Sequence, residues 1–84
     1  MTISKAEFIK KNESTIQEVF EGIKQKFELK LTEHGYVSIE IPIKPSFADG
    51  IIIEAEHRLH NYLTELGWQL NSSYSEKTLK LEIR

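Results

Sequence analysis

The chain has 84 residues, 39% of them apolar and 29% charged, with no cysteine and a formal net charge of -2. That is room for one core, and without disulfides or thiolate-held metal only burial and hydrogen bonding can hold it together. Its 11 basic and 13 acidic side chains are mixed along the chain, which gives neither the gathered basic excess of a nucleic-acid binder nor the acidic runs of a DNA mimic. No apolar run approaches the roughly 18 residues of a bilayer span, so the expectation is one soluble, cytoplasmic domain over residues 1–84.

Ser4 opens the first predicted helix. Its hydroxyl and the carboxylate of Glu7 are spaced for a capping box, and Ile3 and Phe8 for a hydrophobic staple. Ile9, Ile16, Val19, Phe20, Ile23 and Phe27 recur at helical steps up to Glu28. The weak stretch is Lys10 to Ser14, where the stripe offers only Asn12. Ser14 with Gln17 makes a second capping pattern, so the chain reads as one bent helix, with a break there as the alternative.

From Phe27 the period changes to two. Phe27, Leu29 and Leu31 alternate with Glu28, Lys30 and Thr32. Glu33-His34-Gly35 has turn chemistry, and Val37, Ile39, Ile41 and Ile43 alternate with Tyr36, Ser38, Glu40 and Pro42. That pattern predicts a hairpin with one apolar face. Pro42 cannot donate to a ladder and marks an edge or an end.

Lys44 to Gly50 connects layers. Asp49 to Leu66 then reads as the central helix, with Ile52, Ala55, Leu59, Tyr62, Leu63 and Leu66 on its apolar stripe and Gly67 as its stop. Trp68 and Leu70 alternate with Gln69 and Asn71. After the turn Ser75-Glu76-Lys77, Leu79, Leu81 and Ile83 alternate with Thr78, Lys80 and Glu82. The sum is αββαββ: an α+β two-layer sandwich with two helices on one face of a four-stranded antiparallel sheet. The halves echo each other, residues 4–43 against 46–84: Phe27-Glu28-Leu29 follows its helix as Trp68-Gln69-Leu70 follows its own, and Val37 to Ile41 matches Leu79 to Ile83, as in a duplication or two units reached separately.

Chemistry is sparse. Glu54, His57 and His60 follow a helical Glu-x-x-His spacing, but no second ligating motif completes a metal site. There is no nucleophile elbow, and the glycines are scattered rather than gathered into a phosphate loop. Glu54 and Glu56, two apart on a helix, diverge. The expectation is a non-enzymatic domain without cofactor or metal.

Two binding readings remain. The open sheet face, with Tyr36 as its aromatic, or Lys24, Lys26 and Lys30 near the end of helix one, offers a nucleic-acid surface. The acidic residues of that face oppose it, and a helix C-terminus favours cations without any ligand.

The favoured reading is a small protein-binding or regulatory module that joins a protein partner or a second copy of itself. Short domains of this economy are common in phages and other mobile elements that bind and modulate a host protein. Ile51, Ile52 and Ile53 cannot share one stripe. Ile51 falls at its margin and Ile53 outside it, beside His57, His60 and Thr64. Phe47, apolar without a periodic reason for burial, joins them in the predicted interface. The alternative places Ile53 before a later helix start or beneath helix one.

Overall fold

The structure is a computed structural model that describes residues 2–84. Among them are three helices and one three-stranded antiparallel sheet. The helices are α1 (Lys5–Lys11), α2 (Glu13–His34) and α3 (Asp49–Glu65). The strands are β1 (Val37–Pro42), β2 (Leu70–Ser75) and β3 (Thr78–Ile83), in the order β1-β3-β2.

The α+β class holds, but the first hairpin does not form. Residues 27 to 34 continue α2 rather than making a strand. Leu31 lies four residues beyond Phe27 and eight beyond Ile23, so the helical stripe runs on to the end. Phe27 and Leu31 are buried, while Leu29, which a strand would have turned inward, is 68% exposed. Leu, Lys and Glu are also strong helix formers. Gly35 ends α2 in the left-handed conformation (φ 69°) and donates its N–H to the Leu31 carbonyl at 2.8 Å.

The first helix is interrupted rather than merely bent. Ser4 caps α1, its Oγ accepting the Glu7 amide at 3.1 Å. At Asn12 the backbone leaves helical geometry (φ -109°, ψ 14°), and its side chain turns back to donate to the Phe8 carbonyl at 2.9 Å. Asn competes in this way for backbone partners that a helix needs. The short α1 carries Phe8 onto Gly50, where an added Cβ would stand 3.0 Å from the ring.

At the end of α3, Gly67 (φ 89°) donates to the Thr64 carbonyl and Trp68 to that of Leu63. This is a Schellman closure. It swings Leu66 off the stripe, so that the residue expected in the core is 59% exposed.

The core lies between the layers and is apolar. A larger cluster joins Ile23, Phe27 and Leu31 of α2 to Leu59 and Leu63 of α3 and to Val37, Ile41, Leu70, Leu79, Leu81 and Ile83 of the sheet. A smaller one gathers Ile16, Ile51 and Ile52. The echoing segments Val37–Ile41 and Leu79–Ile83 are direct neighbours, paired antiparallel. The echo stops there, because Phe27 to Leu29 is helix where Leu70 is strand.

Candidate protein interface

With Ile52, Ala55, Leu59 and Leu63 buried, the turn of about 100° per residue assigns the two flanks of α3. One flank meets α2. Tyr62 stands edge-on to Phe20, with ring centroids 5.8 Å apart, and the Lys24 ammonium lies 4.9 Å over the Tyr62 ring. On the same flank Arg58 grips Glu13 and Glu54. The other flank carries Asp49, Ile53, Glu56 and His60, and it overhangs β2. The Ser72 hydroxyl donates to Glu56 there, and the Tyr74 hydroxyl to Asp49 at 2.7 Å.

Because β2 is an edge strand, its outer backbone groups can be read from the register. Gln69 and Arg84 exchange backbone hydrogen bonds of 2.7 and 3.0 Å, which fixes them as a bonded pair. Bonded pairs alternate along an antiparallel ladder, so Asn71, Ser73 and Ser75 address β3 through their partners Glu82, Lys80 and Thr78. The N–H and C=O groups of Leu70, Ser72 and Tyr74 therefore point away from the sheet.

The other edge is blunted. Ile43 donates to the Lys77 carbonyl at 2.8 Å, so the outward residues of β1 are Ser38, Glu40 and Pro42. Pro42 has no donor, and Glu40 is charged. Natural sheets guard their edges in this way. The edge of β2 has no such guard: Leu70 to Ser75 contains neither a charge nor a proline.

Asp49 and Lys77 fix one end of this edge. The Lys77 ammonium donates to Asp49 Oδ1 at 2.6 Å and to the Phe47 carbonyl at 2.9 Å. The hydrogen bond from Lys77, and then that from Tyr74, hold the Asp49 carboxyl below its ordinary value. The same carboxylate raises Lys77, while Tyr74 is raised by burial first and by Asp49 second. Ile53, 53% exposed, shares an open hollow with Asp49, Tyr74, Ser75 and Lys77.

The predicted interface separates into two parts. Ile53, His57, His60 and Thr64 are exposed on the free side of α3, and Thr64 Oγ1 stands 3.5 Å from His60 Nδ1. Ile51 belongs to the core instead, because it faces Ile16 on the opposite flank from Ile53. Phe47 is half-buried on that opposite side and lines a groove between α2 and β1 with Val19, Gly22, Ile41 and Ile43. Asp49, in the first turn of α3, makes no capping bond and instead accepts from Lys77.

No protein-family model, curated protein or solved structure matches this chain.

The residues named for nucleic acid are dispersed. Lys24 turns to Tyr62, whereas Lys26 lines the α2–β1 groove, and α2 runs on past Lys30 to His34. Lys24 and Lys26 stand in mid-helix, and Lys30 one turn before its end. Tyr36, 47% exposed, donates to Glu82 at 3.3 Å, and the open face beside it carries Ser38, Glu40, Asn71, Ser73 and Lys80. Among the described residues no polar or charged side chain is buried, and no three His, Asp or Glu side chains gather as a group that could hold a metal ion.

Leu70, Ser72 and Tyr74 did not stand out in the sequence, because strand order decides which backbone groups are unpaired. The signal that existed was the run of uncharged residues, with three serines, in a strand that needed a guard.

Proposed function

We propose that this chain is a protein-binding module that takes its partner along the free edge of β2 and the flank of α3 above it. The observation that carries the reading is the row of outward backbone groups on Leu70, Ser72 and Tyr74 beneath the exposed Ile53. A bare strand edge offers main-chain hydrogen bonds to an extended segment, and a neighbouring apolar side chain selects what that segment presents. Ile53, which the sheet does not need, supplies the apolar contact, with His57 and His60 as polar, non-repelling neighbours.

The test is affinity capture from the source cells with the wild-type chain and with Ile53→Lys, both checked for folding by circular dichroism. A partner held by wild type and lost by the folded variant is the expected result. A folded Ile53→Lys chain that keeps every partner removes this surface from consideration.

A further inference from the structure

The edge of β2 matches itself. We infer that its occupant is a second copy of this chain, bound antiparallel about a twofold axis through Ser72; this rests on the proposed protein-binding role of the edge.

The register carries the inference. The outward residues are Leu70, Ser72 and Tyr74, spaced evenly about Ser72. A twofold there sets Ser72 against the second copy's Ser72, and Leu70 against its Tyr74. Each of these pairs exchanges two backbone hydrogen bonds. On the open face the intervening pairs join Asn71 to the second copy's Ser73, both uncharged. On the helix side Leu70 meets an aromatic ring, a favourable cross-strand pair.

The edge of β1 fails the same test. A twofold through its central outward residue sets Glu40 against Glu40, a like-charge pair, and Pro42 leaves a donor missing. The helix layer also closes. With α3 running antiparallel to its copy, Ile53 approaches the second copy's His60. Glu56, nearest the axis, lies across it from the second copy's Glu56; the Ser72 hydroxyl holds each carboxylate, and His57 and His60 of the other chain flank the pair. The product is one continuous six-stranded sheet, with no long, bare edge left exposed.

Sedimentation equilibrium from micromolar to millimolar concentration, with amide hydrogen exchange by NMR on the same samples, tests this. The expected result is a monomer–dimer equilibrium in which the Leu70, Ser72 and Tyr74 amides are protected in the dimer and free on dilution. Those of Asn71, Ser73 and Ser75 stay protected throughout. Ser72→Pro, which removes the axial donor from an edge where proline is tolerated, weakens the dimer by about tenfold or more. Ser72→Asp, which sets two carboxylates across the axis, provides an independent disruption.

A chain that remains monomeric at millimolar concentration overturns the inference, as does a dimer whose Ser72 and Tyr74 amides exchange freely. A folded Ser72→Pro chain that still dimerises also overturns it. If the chain is monomeric yet Ile53→Lys still loses a captured partner, the second copy is wrong and the protein-binding edge stands. If neither variant changes association of any kind, both fail.

Discussion

Arg58 of α3 holds Glu13 of α2 in a bidentate ion pair, with Nη1 and Nη2 each 2.7 Å from a carboxylate oxygen. The Nε of the same guanidinium reaches Glu54 at 3.2 Å. This fork ties the first turn of α2 to the middle of α3, and it depends on a planar donor set that lysine lacks. Arg58→Lys is expected to lower the melting temperature, and the difference from wild type shrinks in molar salt, because Glu13 is exposed. Equal melting at low salt would show that the pair contributes nothing.

Leu29 separates the helix from the hairpin that the alternation suggested. Leu29→Ala is expected to change stability by less than about 0.5 kcal/mol, whereas Phe27→Ala should cost roughly 3–5 kcal/mol. Leu59→Ala, at the buried centre of α3, should cost about 2–5 kcal/mol. Urea unfolding of the three variants checks the set. Comparable losses at 27 and 29 would return residues 27 to 32 to a strand.

The glycines divide in sign. Gly22 lies inside α2 with nothing within 4 Å of an added Cβ. Gly22→Ala should therefore stabilise by about 0.5–1 kcal/mol. Gly35→Ala meets the same open space, but at φ 69°, and should destabilise by about 1–2 kcal/mol. Paired thermal melts read both. Two changes of the same sign would contradict the backbone assignment.

Acid should act through Asp49 and Glu13. Lys77 and Arg58 hold their carboxyls below the ordinary values of 3.8 and 4.5. Folding thus favours the ionised forms. Their contribution is complete above those ordinary values and is lost as the pH falls below them toward the folded-state values. The melting temperature is expected to decline as the pH drops below about 4.5, and less steeply in Asp49→Asn. An unchanged acid slope in that variant would remove Asp49 from the account.

Much of this was legible in the sequence. The stripe Ile52-Ala55-Leu59-Leu63, the cap at Ser4 and the strand alternations at 37–41 and 79–83 all depend on local period, and local period survives folding. Residues 27 to 32 misled because Phe27 and Leu31 fit a period of four as well as a period of two. Only Leu29 distinguishes the two readings, and its exposure depends on what lies beneath it. Of the interface, Ile53 was visible as an isoleucine off the stripe. The bare edge below it was not, since β3 separates β1 from β2 and nothing in either strand's own residues records its neighbours.

That central place of β3 also sets an order of events. β1 and β2 have no ladder to each other, so every interstrand bond of the sheet waits for residues 78 to 83. The helices close on contacts nearby in sequence, whereas Val37 must find Ile83 across more than half the chain. Local contacts form early and distant pairings late. A chain cut before Thr78 keeps the sequences of its helices and of two strands, yet has no sheet for them to cover. Its apolar stripes would be left open to association with whatever is near.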